Sequence, residues 1–199
     1  MLLFFYPTGG RQMANAVAGL STLGVTFSYG VETTAGTKPT AFKLLSRINS
    51  IGEITVTPEA IDASALEDRQ TRNIAGRDTV SDTVTVTVNK TNETIEEWKA
   101  VITAYNGLTG GKRMWFQEIT PGITDAEFFV AQPPSKLPIT SKEQNGLLTM
   151  ALNLIIEEMV GTDTKVEPTP GGIVSQSLDT TNAVVTDEEE TADYTPIGE

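Results

Sequence analysis

The chain has 199 residues, 39% hydrophobic and 20% charged, with 14 Lys and Arg against 26 Asp and Glu for a net charge of −12. That length suits one domain, or one domain with a tail, and the apolar content is enough for a core without staples. The absence of cysteine and histidine excludes disulfides, thiolate zinc sites, iron–sulfur clusters, cysteine nucleophiles, Ser-His-Asp triads, HExxH zinc sites and imidazole haem ligation. The acidic balance disfavours a grip on nucleic acid, which needs clustered cations.

In chain order, Leu2 to Tyr6 is apolar but lacks a preceding basic residue and is shorter than the ~7–15 residues of a signal-peptide core. Residues 1–12 read as an N-terminal extension upstream of Met13, of the kind a misplaced start codon adds, and the body as residues 13–160. No stretch approaches the ~18 apolar residues of a membrane span, so no membrane partner is expected. Leu23 to Gly30 alternates Val25, Phe27 and Tyr29 with small polar residues and predicts a strand. A second strand is predicted from Ile51, with Ile54 and Val56 on one face, ending where Pro58 interrupts the ladder.

The clearest strand is Ser81 to Asn89, where Val84, Val86 and Val88 alternate with Thr83, Thr85 and Thr87. One convincing helix follows. Thr94-x-x-Glu97 matches a capping box, Ile95, Trp98, Ile102 and Tyr105 form an apolar stripe, and Gly107 supplies a C-cap. Arg113 to Ile119, Ala126 to Ala131 and Gly146 to Glu158 return to strand patterns. Runs of strands with a single helix predict a mainly β protein, an antiparallel β-sandwich or barrel with a flanking helix. Residues 161–199 carry nine acids against Lys165 alone and read as an acidic Pro/Gly/Thr-rich flexible tail.

No motif carries chemistry. Gly107 to Lys112 imitates a phosphate loop but has Asn106 and Arg113 where the pattern needs Gly and Ser or Thr. Asn89-Lys-Thr91 and Asn92-Glu-Thr94 match the glycosylation sequon, a three-residue pattern common by chance. Asp62, Glu67 and Asp68 lack the spacing of a calcium loop. No catalytic, cofactor or metal residue is therefore assigned, and no cofactor is expected.

The segment Glu59 to Asp78 stands out. Glu59, Asp62, Glu67 and Asp68 precede Arg69, Arg72 and Arg77, with Ile61, Leu66 and Ile74 interspersed. About twenty residues without evident secondary structure inside a compact domain are uncommon and usually functional or disordered. The apolar residues favour an arm that docks on another copy. Thr83, Thr85 and Thr87 form a hydroxyl-rich face that suits either plain solvent exposure or the wall of a polar space. Trp98 and Tyr105 fit the core. Trp115 and Phe116 are adjacent on a strand, so one is expected to point outward, a modest sign of an interface.

Together these parts resemble the major tail proteins, the tail-tube subunits of long-tailed, non-contractile bacteriophages (siphoviruses). The resemblance rests on ITVTPEAIDASALEDRQTRNIAGRD (Ile54 to Asp78), similar to the family's Ile-Asp-x-Ser/Thr-x-Leu-Asp/Glu arm closing in an Ile-x-Gly segment. It continues through the Thr/Val strand, the lone helix with its Trp, TPGITDAEFFVAQPPSKLPI (Thr120 to Ile139) and LLTMALNLIIEE (Leu147 to Glu158), and covers roughly Ala14 to Val160. It implies homo-hexameric rings stacked into a tube through the arm, with a lumen that conducts DNA during ejection. It also implies tape-measure, tail-tip and tail-terminator partners, assembly in the host cytoplasm, a place in the virion, and no enzymatic activity. The acidic tail departs from a minimal tube subunit.

Two other readings stand beside it. One is a monomeric β-sandwich binding module recognising a sugar or protein through Trp115. The other is a metal-free hydrolase using paired carboxylates or a Ser-Lys dyad, which no residue spacing favours.

Overall fold

A computed structural model describes residues 19–170. The expected N-terminal extension and all of the expected tail beyond Pro170 lie outside the described residues. Among the described residues there are nine strands and one helix: β1 (Thr26–Val31), β2 (Lys43–Leu45), β3 (Ile48–Ile51), β4 (Val56–Asp62), β5 (Asn73–Val80), β6 (Thr83–Asn89), α1 (Asn92–Asn106), β7 (Met114–Ile119), β8 (Asp125–Gln132) and β9 (Thr149–Thr164). Seven strands form one antiparallel sheet in the order β2-β1-β7-β8-β9-β6-β3, and β4 and β5 form a separate two-stranded sheet. The expectation of a mainly β, antiparallel protein with one helix is met.

The Val/Thr alternation of β6 works as pattern physics requires. Val84, Val86 and Val88 lie directly opposite Leu154, Leu152 and Met150 of β9, and all six are buried. Opposite residues on one face of an antiparallel pair are close enough to pack, so this ladder lays down one wall of the core. β1, β7 and β8 add Phe27, Phe116 and Phe129, stacked with ring centroids 5.5 to 6.1 Å apart. Trp98 and Val101 of α1 join the same cluster. Because that single cluster draws on β1, β2, β6, β7, β8, β9 and α1, the sheet wraps around it, and the helix closes part of its surface.

The helix begins one turn earlier than its sequence pattern suggests. Thr91 is the N-cap and pairs reciprocally with Thr94, which receives Thr91 N–H at 2.9 Å while its own N–H donates to Thr91 Oγ1 at 3.2 Å. Glu97, expected to close the box, instead accepts from the backbone N–H and hydroxyl of Ser46. Gly107 caps the C-terminus as expected, its N–H donating to Thr103 O. The buried stripe is Thr94, Trp98 and Val101, slightly rotated from the expected one, with Tyr105 packed partly buried beside it.

A second, smaller core lies on the other face of β7 and β8, built from Phe42, Trp115, Ala126, Phe128 and Val130. The chain beyond Val160, the expected end of the body, covers it. β9 continues to Thr164 in pairing with β8. Val166 exchanges hydrogen bonds with the Gln117 side chain, at 3.0 Å from its N–H and 2.8 Å to its carbonyl. Thr169 brackets β2, its N–H donating to Phe42 O and its carbonyl accepting from Leu44 N–H. Residues 161–170 thus belong to the body, because without them this apolar face would meet water.

Candidate functional site

The charged arm singled out in the sequence is ordered as a hairpin, not as an irregular loop. β4 and β5 pair with a bulge between Pro58 and Ala60, and β4 runs through Pro58 instead of ending before it. A two-stranded ribbon tolerates proline because a strand at an edge need not donate to a neighbour. Gly76 stands where any Cβ would come within 3.0 Å of Ile61 Cδ1, so the isoleucine lies over the glycine and fixes the local packing of the ribbon.

The connecting loop is braced by its own polar groups. Asp62 accepts Ser64 N–H at 2.8 Å, Asp68 accepts Ala65 N–H at 2.9 Å, and Ser64 Oγ accepts Arg72 N–H at 2.8 Å. Arg72 Nε stands 3.7 Å from Asp68 Oδ2. One member of each charge block, Asp68 and Arg72, therefore meets the other at the tip. Glu59, Glu67, Arg69 and Arg77 point to solvent with the rest of the arm, and every residue of β4 is exposed. Ile61, Leu66 and Ile74 are exposed too, Leu66 completely.

At its base the arm is tied to the sheet. Ser81 N–H donates to Thr55 O, Ser81 Oγ accepts Thr55 N–H, and Gly52 N–H donates to Thr85 O. The arm thus leaves the sheet at the end where β6 begins. Thr83 and Thr85 are exposed and Thr87 is half-buried on the face of β6 away from the main core. They lie opposite Ile155, Asn153 and Ala151 of β9, with Thr85 Oγ1 donating to Asn153 Oδ1 at 2.8 Å. This face holds hydroxyl, amide and aliphatic groups. β3 ends the sheet beyond β6, with no strand on its outer side among the described residues.

The expected outward aromatic does not exist. Trp115 is 6% exposed and Phe116 is fully buried, because the sheet is covered on both faces at β7. The Trp115 indole N–H donates to Glu32 Oε1 at 2.8 Å. Glu32, 1% exposed, also accepts Gly36 N–H at 2.9 Å, Arg113 N–H at 3.1 Å and Arg113 Nε at 3.2 Å. Burial alone would raise this carboxyl, but the hydrogen bonds from Trp115, Gly36 and Arg113 and the guanidinium charge outweigh it and hold Glu32 below the ordinary value. Arg113 spans from Glu32 to Glu158. The arrangement fastens β1, β7 and β9 together and withdraws Trp115 from any role as an aromatic platform for a sugar.

Two adjoining clefts of about 330 and 310 Å³ open beside the arm's base, sharing Ile51 and Glu118. Glu118 of β7 lies opposite Glu127 of β8; burial, then the Glu127 charge, pushes the Glu118 carboxyl up. Among the described residues no group of three or more acidic, His or Cys side chains is placed to hold a metal ion, and no helix is long and apolar enough to cross a membrane. Sequence reasoning missed the Glu32 network. Its signal was one acidic residue at the end of a strand, which nothing in the local pattern distinguishes from a solvated one.

No protein-family model matches the chain, and no curated protein matches it. Among solved structures it is similar to a chain in the tail of an empty GTA particle computed with helical refinement and C6 symmetry. The identity is 14%, the TM-score 0.45, and the match covers 71% of this chain and 95% of that one. It is also similar to a chain in the six-fold symmetrised baseplate of the anti-feeding prophage, at 10% identity and a TM-score of 0.42, covering 74% of this chain and 95% of that one.

Proposed function

We propose that the protein is a structural subunit that self-assembles into stacked hexameric rings, forming the tail tube of a siphovirus through which DNA leaves the virion. The observation that carries this reading is the arm. An isolated two-stranded hairpin is marginally stable at best in water, yet here one projects with Ile61, Leu66 and Ile74 in solvent and its tip held by side-chain hydrogen bonds. Such a surface gains stability when another copy covers it, and a head-to-tail contact of this kind does not close, so it builds filaments.

Three further features support it. The open side of β3 offers unpaired backbone groups for sheet continuation between neighbours. The face bearing Thr83, Thr85 and Thr87 suits the wall of a bore, since it has no cation to hold phosphates. A net charge of −12 opposes adhesion of passing DNA. Tape-measure, tail-tip and tail-terminator proteins are the partners such a tube needs, and the part of the acidic tail beyond Pro170 is dispensable to it. The binding-module reading loses its residue, since Trp115 is buried against Glu32.

Negative-stain electron microscopy across a concentration series tests the proposal. Rings or hollow tubes are expected. Particles of one subunit's mass at every concentration would count against it.

A further inference from the structure

We propose that the tip of the β4–β5 arm of one copy seats in the groove between residues 138–146 and the start of β9 on the next copy. This rests on the assembly reading and names the receptor that reading leaves open. Two groups of exposed large apolar side chains stand at opposite ends of β6, while Leu20, Leu23, Ile123 and Ile155 are exposed elsewhere. Ile61, Leu66 and Ile74 ride on the arm, which leaves the sheet where β6 begins. Ile139, Leu147 and Leu148 stand at the other end of the same strand, where Lys90 N–H, just past β6, donates to Leu148 O at 2.9 Å. β6 has seven residues, so the two poles are separated by roughly 20 Å of strand.

That separation matters because a contact between unlike surfaces at opposite ends repeats indefinitely, whereas two patches at one end would pair copies head to head and stop. The groove, about 450 Å³, is lined by Pro138, Ile139, Thr140, Glu143, Leu147 and Ala151 among others. Ile139 is 99% and Leu147 72% exposed, an unusual cost for side chains of this size unless something covers them. The charges of the two poles also oppose. The arm carries Glu59, Asp62, Glu67, Asp68 and Asp78 against Arg69, Arg72 and Arg77, while the segment walling the groove carries Lys142 against Glu143 and Lys90 stands beside Leu148. Net negative meeting net positive steers the approach and fixes its polarity, and burial of Leu66 with Ile139 and Leu147 supplies the affinity.

Because the chain has no cysteine, the contact can be read directly by disulfide trapping. Full-length protein carrying both Leu66→Cys and Ile139→Cys, assembled and then oxidised, should run on a non-reducing gel as a ladder of multiples of one chain. Leu66→Cys with Ile123→Cys, an exposed residue of the β7–β8 turn, should give no ladder. Both substituted side chains are exposed, so the fold should survive, which the melting temperature checks. In a second variant, Ile139→Asp should melt within a few degrees of the parent and form markedly fewer or shorter tubes. Tubes without the Leu66–Ile139 ladder, or a ladder with Ile123→Cys instead, would overturn the groove as receptor and leave the assembly reading standing. A parent protein that forms no rings or tubes at any concentration would remove both.

Discussion

The indole N–H of Trp115 reaches Glu32 Oε1 at 2.8 Å, whereas the indole N–H of Trp98, fully enclosed, has no hydrogen-bond partner among the described residues. Two buried tryptophans in one small protein therefore stand in opposite polar circumstances. Replacing Trp115 with Phe removes a donor from a buried carboxylate, which costs about 1.5–3 kcal/mol for a charged hydrogen bond beyond the lost volume. Trp98→Phe loses volume but also relieves an unpaired donor. Trp115→Phe should therefore lower the urea midpoint more than Trp98→Phe, although Trp98 belongs to the larger core. Equilibrium urea unfolding of the two variants checks the order.

Glu32 gives that network its pH dependence. Its carboxyl is held below the ordinary value by Trp115, Gly36 and Arg113 against the opposing effect of burial. A carboxyl depressed in the folded state contributes stability that is fully present above its unfolded pKa, near 4.3, and is lost as pH falls through the folded value. Glu32→Gln should cost about 3 kcal/mol at pH 7, because it leaves Arg113 without its buried partner charge. The difference in unfolding free energy between parent and variant should shrink as the pH is taken below 4. A pH-independent difference would assign the loss to packing alone.

Glu118 works with the opposite sign. Burial and the facing Glu127 raise its carboxyl, so the ionised form is disfavoured in the folded state and the native protein gains relative stability as Glu118 takes up its proton. Glu118→Gln should stabilise the protein at pH 7 by up to about 1 kcal/mol, the scale of a like-charge cross-strand pair. That advantage should vanish as pH falls through the raised pKa toward the unfolded one, where the glutamate is neutral in both states. Thermal melts of parent and variant at pH 7 and pH 4 give the comparison.

The parts of the fold that were legible in the sequence are those with one wet and one dry face. Val84, Val86 and Val88 announce β6 because each neighbouring threonine faces away from the core, and β7 and β8 were placed within a residue or two. The arm was visible as composition but not as structure. Neither β4 nor β5 has a buried face, so no period of two is imposed on Val56 to Val80, and Pro58 suggested a stop where an edge ribbon simply accommodates it. The orientation of Trp115 was illegible for a related reason: adjacency predicts one outward residue only if one face of the sheet is bare. The chain that covers that face, Val166 to Thr169, follows a change in composition that resembles the onset of a tail. The assembly surfaces were half legible, since the arm's charged and apolar residues drew attention while Ile139 and Leu147 sat in a segment without any pattern.

The position of that covering chain makes two truncations diverge. Ending the chain after Pro170 removes only residues outside the described body and should leave both the melting temperature and assembly unchanged. Ending it after Val160 strips Val166 from the second core, leaves the buried Gln117 side chain with Ser28 as its remaining partner, and removes Asp163, the partner of Lys38 at 2.9 Å. The loss should be on the order of 3 kcal/mol, from the unmade buried hydrogen bonds and uncovered apolar area. Differential scanning calorimetry of the two products separates them. Equal stability would mean that the segment covers Phe42, Trp115 and Phe128 without contributing.

Charge reversal on the arm separates folding from assembly. Arg69, Arg72 and Arg77 are exposed, and the one ion pair among them, Arg72 with Asp68 at 3.7 Å, is of the surface kind that contributes ~0–1 kcal/mol. Replacing all three with Glu should thus shift the melting temperature by no more than a few degrees. The arm's tip would then carry acids with nothing to balance them, repelling one another within the loop and repelling Glu143, the charged residue that lines the receiving groove. Both repulsions are screened by salt, with a Debye length of about 10 Å at 0.1 M. Tube length measured by electron microscopy should therefore collapse in the variant at low ionic strength and recover partly at high salt. Full-length tubes at low salt would show that the arm's arginines play no part in stacking, whereas loss of the fold itself would show that they brace the body.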